Sequence, residues 1–185
     1  ESGRATIRRM PPQTQSNGQS SPRKVESNLA AGFDAPCAEV TRLVADILDV
    51  PIALMSLPRG DEYRFRANIG FDGYQSVPSR ISFCAYTMLG TDLLVVPDAR
   101  IDARFEQNPL VLDSPHVVTY VGVPLLSSRG VTMGTLCAID RQPRAFTASQ
   151  LDQLRVVARI AAWILETEAA PRDDRLVEAT TLLRQ

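Results

Sequence analysis

Residues 117–140, VVTYVGVPLLSSRGVTMGTLCAID, decide the fold. Two apolar runs, VVTYVGVPLL and VTMGTLCAID, flank the polar tetrapeptide SSRG. Neither run alternates apolar with polar residues, so each reads as a strand covered on both faces. SSRG reads as the turn joining them into an antiparallel hairpin. Gly122 and Gly134 interrupt the side chains inside these strands and mark places where another element comes close to the backbone. A strand pair hidden on both sides belongs at the centre of a sheet with a layer above it and a layer below.

On the C-terminal side, residues 146–170 read FTASQLDQLRVVARIAAWILETEAA. Thr147 and Gln150 form a capping box, which starts a long helix. Leu151, Leu154, Ala158, Ala161 and Leu165 make one apolar stripe, and Val156, Ile160, Trp163 and Ile164 widen it beyond what one sheet face needs. After Pro171 a short helix is expected to continue as a linker over residues 169–185. On the N-terminal side, residues 100–116 are polar and broken by proline, with one helical turn expected after Asp102; a stretch of this kind is often functional. Residues 92–99, DLLVVPDA, read as a strand stopped by Pro97. Ser82 caps a short helix, FCAYTML, which Gly90 ends. Residues 71–81 read as a loop. EYRFRANIG alternates, with Tyr63, Phe65, Ala67 and Ile69 on one face and Arg64, Arg66 and Asn68 on a wet one. PRGDE turns it back on the buried strand VPIALMSLP. The first helix, FDAPCAEVTRLVADILDV, has Asp34 as N-cap, Pro36 in its first turn, and Cys37, Val40, Leu43, Val44, Ile47 and Leu48 as its stripe. The expected architecture is α+β: a mixed, largely antiparallel sheet of about five strands. The first and last helices cover one face, and the short helix and long loop cover the other.

Composition narrows the function classes. With 185 residues, 44% hydrophobic and 22% charged, the chain suits one globular domain with some length left for tails. No apolar run approaches the roughly 20 residues that span a bilayer, and ESGRATIRRMPPQ lacks the apolar centre of a signal peptide. A cytoplasmic location follows as the expectation. The net charge of -1 gives no pull toward nucleic acid. Residues 1–32 hold five cations and two anions, +3, which leaves -4 for the remainder. Their Pro, Gln, Ser, Asn and Gly content predicts a disordered or linker segment. Three widely spaced cysteines without a CxxC are neither a disulfide framework nor a zinc site, and fit a reducing compartment.

Four segments in their order, SRISFCAYTML (79–89), LLVVPDARIDARFEQNPLV (93–111), YVGVPLLSS (120–128) and GTLCAIDRQPRAFTASQLDQL (134–154), resemble the GAF domain, a PAS-like signalling module. The resemblance covers roughly residues 33–168 and is closest to GAF domains attached to bacterial sensor kinases, diguanylate cyclases and phosphodiesterases. It implies a pocket between the sheet and the loop-helix face, and pairing of two copies through the terminal helices.

The resemblance makes Phe83, Tyr86, Phe105 and Tyr120 expected to surround that pocket, where Tyr86 and Tyr120 offer a ring and a hydroxyl. Cys84 reads as packing at its floor. Arg80, Arg100 and Arg104 flank it and suit a small anion, unless they pair with Asp98, Asp102 and Glu106. Asp98, Asn108 and His116 complete the candidates. The cofactor is left unknown. A bilin would ask for a Cys-His pair, and the single histidine, His116, does not follow Cys84. Haem would rest on His116 alone. The cyclic-nucleotide pattern needs a lysine, and the only one, Lys24, lies in the N-terminal segment. A free methionine sulfoxide reductase of this fold would need a second cysteine in residues 98–116, which hold none. The resulting expectation is a non-catalytic sensory domain that binds a small cytoplasmic ligand. An interaction module working by homodimerisation is the alternative, and the reductase is a weaker one. No nucleic acid, membrane or metal is expected.

Overall fold

The computed structural model describes residues 34–169. The expectations for residues 1–32 and for a helix after Pro171 lie outside the described residues. Helix α1 (Asp34–Leu48) leads into β1 (Ile52–Arg59), β2 (Glu62–Ile69) and β3 (Ser76–Pro78). A 3-10 turn, Ser79–Ile81, precedes α2 (Phe83–Thr87) and β4 (Leu94–Val96). Then come α3 (Pro109–Leu112), β5 (Thr119–Leu126), β6 (Thr132–Asp140) and α4 (Ala148–Ala169). Among the described residues, no helix is long and apolar enough to cross a membrane.

The six strands form one sheet in the order β3-β2-β1-β6-β5-β4. The quoted hairpin is β5–β6, and β6 lies between β1 and β5 as its two-sided apolar pattern requires. The expected largely antiparallel sheet of about five strands is present, and the structure sharpens it in two ways. Every pairing is antiparallel. The sixth strand is β3, inside the segment read as a loop. It holds only three residues, too few for a period of two to show in sequence.

Each strand divides its side chains between two layers. Ala53 and Met55 of β1, Val121, Val123 and Leu125 of β5, and Leu136 and Ala138 of β6 pack beneath α1 and α4. Ile52 and Leu54 of β1, Tyr120 of β5, and Cys137 and Ile139 of β6 pack against α2 and the 97–117 segment. Helix α1 buries Cys37, Thr41, Val44, Ala45 and Leu48, a spacing of four, three, one and three. Leu43, expected in that stripe, is 45% exposed. Helix α4 opens with the capping box: the Thr147 N–H donates to Gln150 Oε1 at 3.0 Å and the Gln150 N–H donates to Thr147 Oγ1 at 3.2 Å.

The reading of β2 as one dry face and one wet face is corrected. Met55 pairs with Ala67, but Ser56 pairs with Phe65, so Arg66 is the extra residue of a bulge. The bulge inverts the alternation. Tyr63 and Phe65 join the α2 layer, while Ala67 and Ile69 join the α1/α4 layer. Arg66 reaches Glu168 near the end of α4 at 3.0 Å.

The 97–117 segment contains the turn expected after Asp102, where the Phe105 N–H donates to the Asp102 carbonyl at 2.8 Å. A second turn, α3, was not expected. Asn108 caps it by accepting from the Leu110 N–H at 2.9 Å, and Pro109 occupies the first helical position, where its missing N–H costs nothing.

Candidate functional site

Helix α2 is what places the candidate side chains. Ser82 caps it as the sequence predicts, its hydroxyl accepting from the Cys84 N–H at 3.2 Å. The helix is one turn long and is followed by single turns that carry the chain to Gly90. Its inner face presents Phe83, Cys84 and Thr87 to the sheet, and all three are buried. The sheet answers with alternate residues of β1, β5 and β6: Ser56, Tyr120, Thr135 and Cys137.

These residues build a buried polar chain. The Thr135 and Ser56 hydroxyls lie 2.8 Å apart. Ser56 Oγ donates to Cys84 Sγ at 3.2 Å. Tyr120 donates its phenol to the same sulfur at 3.8 Å and pairs with Thr87 Oγ1 at 2.7 Å. Cys137 Sγ lies 4.0 Å from Cys84 Sγ. Donors therefore converge on one sulfur, and hydrogen bonding to a charged form favours that form. The Cys137 contact foremost, then Ser56, Thr135 and Tyr120, hold the Cys84 thiol down at about 6 against the opposing effect of burial. Cys137 goes the other way, pushed up by its donation to Cys84 and by burial. Burial also raises Tyr120 well above its ordinary value, which keeps its phenol a donor.

An aromatic group roofs this chain. Phe83 stacks on Phe105 with ring centroids 4.1 Å apart and leans on Tyr120 at 5.1 Å. Tyr86 meets Phe105 edge-on at 4.8 Å. The four aromatics expected to surround a pocket are thus brought together, packed on one another. Phe83, Phe105 and Tyr120 are buried, whereas Tyr86 is 40% exposed and forms the outer edge of the group. Arg104 extends this edge, its guanidinium carbon 5.2 Å from the Phe105 ring centroid.

The charged candidates are committed to the segment itself. Arg100 binds Asp98 through two nitrogens at 2.9 and 2.7 Å. Arg104 binds Asp102 in the same way at 2.9 and 2.6 Å. Each aspartate also accepts the backbone N–H of its arginine. The guanidinium groups hold both carboxyls below the usual range. Asn108 ties the segment to the 3-10 turn, its amide donating to the Ile81 carbonyl at 2.9 Å. Arg80 and His116 are exposed. His116 adopts a left-handed φ of 59° three residues before β5.

Ser56, Thr87 and Thr135 do not stand out in the sequence, and Cys137 reads there as a cysteine within a buried strand, not as a site residue. Its pairing with Cys84 depends on strand register, which no local pattern shows.

A GAF domain family profile matches residues 33–165. Over 116 residues the chain is 41% identical to cyclic di-GMP phosphodiesterase PA2567 of Pseudomonas aeruginosa; the match covers 63% of this chain but 20% of that protein. Among solved structures, a type II free methionine-R-sulfoxide reductase from Thermoplasma acidophilum superposes with a TM-score of 0.62 at 12% identity, over 74% of this chain and 94% of that one. The GAF domain of PixJ from Thermosynechococcus elongatus, in its blue-light absorbing form, superposes with a TM-score of 0.61 at 16% identity, over 82% and 91%. At these identities the likeness is one of fold.

Proposed function

The chain belongs to the GAF domain family, and on that premise we propose that it is a non-catalytic sensory domain of a cytoplasmic signalling protein. It binds a small ligand at the α2 and 97–117 face and reports that event through α1 and α4. The observation that carries this reading is the alternation along β6. Cys137 and Ile139 touch the α2 layer, and their neighbours Leu136 and Ala138 touch the α1/α4 layer. Because packed interiors transmit displacement, a ligand that spreads the Tyr86–Phe105 edge moves residues one bond away from those beneath the terminal helices. The ligand shifts the equilibrium only by its preference for one arrangement.

The test is a thermal-shift screen of cytoplasmic metabolites, followed by hydrogen exchange on any hit. The expected result is a raised melting temperature, with exchange altered in both α2 and α4. A hit that protects the 97–117 segment and leaves α4 unchanged removes the relay. A screen without hits removes the ligand.

A second reading, pairing of two copies through the terminal helices, is favoured by the outer face of α4. Val156, Ile160 and Trp163 are exposed there, Trp163 to 66%, at a spacing of four and three that puts them on one stripe. Stable pairing buries about 800 Å² on each partner. Sedimentation velocity should show a dimer that Trp163→Glu disperses; a monomer at high concentration defeats this reading.

A further inference from the structure

We propose that Cys84 and Cys137 are a reversible dithiol–disulfide couple, a modification site oxidised by small hydroperoxides. The two cysteines come from different elements, one on α2 and one on β6, yet their sulfurs are 4.0 Å apart. A disulfide sulfur pair sits at about 2.05 Å, so bonding requires roughly 2 Å of approach. Helix α2 can supply it. It is five residues long and lies over the sheet with Tyr86 at the surface, whereas β6 is hydrogen-bonded on both sides to β1 and β5.

The hydroxyls around Cys84 fit the same chemistry. Ser56 and Tyr120 donate to the sulfur, which favours the nucleophilic thiolate. Each also has another partner, Thr135 for Ser56 and Thr87 for Tyr120. Neither hydroxyl is orphaned when the sulfur turns away, so the usual penalty for abandoning a buried polar group does not arise. The third cysteine, Cys37, lies in the opposite layer with α1 and serves as an internal control.

The chemistry balances in two steps. The Cys84 thiolate attacks one peroxide oxygen, the O–O bond breaks, and the leaving hydroxide or alkoxide takes up the proton released by the thiol. Cys84 becomes a sulfenic acid, oxidised by two electrons as the peroxide is reduced. The Cys137 sulfur then attacks the sulfenic sulfur, the S–O bond breaks, and the hydroxyl leaves as water with the Cys137 proton. A low-molecular-weight dithiol reverses the bond by exchange.

This couple stands apart from the ligand reading, and a screen without hits leaves it intact. The experiment treats the purified native chain with hydrogen peroxide, then alkylates it in denaturant. The alkylatable thiols should fall from three to one, the intact mass should drop by two hydrogen atoms, and a cross-linked peptide should join Cys84 to Cys137. Dithiothreitol should restore all three. Cys137→Ser should instead accumulate a sulfenic acid at Cys84 that dimedone traps. Three thiols surviving excess peroxide in the native chain would overturn the proposal, as would a disulfide that includes Cys37 or overoxidation of Cys84 without any link. The thiol count on the unaltered chain decides the matter even if a variant fails to fold.

Discussion

A methyl group added at Gly122 would lie 2.2 Å from the Tyr120 hydroxyl and 2.8 Å from Thr87 Oγ1. The glycine is therefore the space in which the Tyr120–Thr87 hydrogen bond sits. Gly122→Ala should cost about 1–3 kcal/mol, the usual range for overpacking, read as a lowered urea midpoint. Gly130→Ala is the control. An added Cβ meets nothing within 4 Å there, but φ is +75°, so only a left-handed penalty of about 1 kcal/mol applies. Equal losses at the two sites would contradict the close approach. Cys84 gives a second residue-scale prediction. Its thiol is held at about 6, below an unfolded value of roughly 8.5. Between those values the native chain binds fewer protons than the unfolded one, so stability rises with pH. The contribution is complete above the unfolded value and is lost as pH falls through about 6. The urea midpoint of the unaltered chain, relative to Cys84→Ala, should therefore climb from acid toward pH 8; a flat difference would show that the converging donors do not stabilise a thiolate. Gly122 and Cys84 stand out in the sequence as a glycine in an apolar strand and a cysteine in a short helix, and Tyr120 is what the family resemblance implies. Ser56, Thr87 and Thr135 passed as ordinary small residues. Their role exists only once β1, β6, β5 and α2 are in register.

At the scale of elements, period and capping were readable and interruptions of period were not. The Thr147–Gln150 box, the Ser82 cap and the two-sided hairpin all follow from local chemistry, and the structure has each of them. The β2 bulge does not follow. EYRFRANI looks like one uninterrupted alternation, and only pairing with β1 reveals that Arg66 is the extra residue. The bulge also has a consequence for α4. It turns Arg66 toward the helical layer, where it meets Glu168 at 3.0 Å with side chains 32% and 17% exposed. A part-buried pair near a helix end contributes about 1 kcal/mol, so Arg66→Ala should change global unfolding only slightly. It should instead loosen the last turns of α4, seen as faster amide exchange near Glu168 than near Leu154. Unchanged exchange there would show that burial of Leu165 and the Ser128–Glu166 hydrogen bonds hold the helix end without Arg66.

Across the whole molecule, the two layers are joined at one end of the sheet by Thr119, the first residue of β5. Its hydroxyl lies 2.8 Å from the Pro97 carbonyl and 2.7 Å from the Gln142 carbonyl, and accepts the Arg144 N–H at 2.8 Å. Pro97 opens the segment that covers α2, and Gln142 and Arg144 follow β6 on the way to α4. Arg144 also pairs with Asp140 and reaches Asp49 at the end of α1 at 3.4 Å. One fully buried hydroxyl thus links the segment that covers α2 to the chain between β6 and α4, and Arg144 carries the link to the end of α1. Thr119→Val keeps the shape but removes the single O–H that the Pro97 and Gln142 carbonyls share and the acceptor of the Arg144 N–H, a loss of about 1–3 kcal/mol for buried groups. Against a total stability of roughly 5–15 kcal/mol, the variant should still fold with a lower melting temperature. Its distinctive effect should be uncoupling: exchange should rise together in the 97–105 and 141–147 segments, while the Leu136–Ala138 core of β6 stays protected. If exchange instead rises evenly over the sheet, Thr119 supports the fold generally and is no specific link between the two layers.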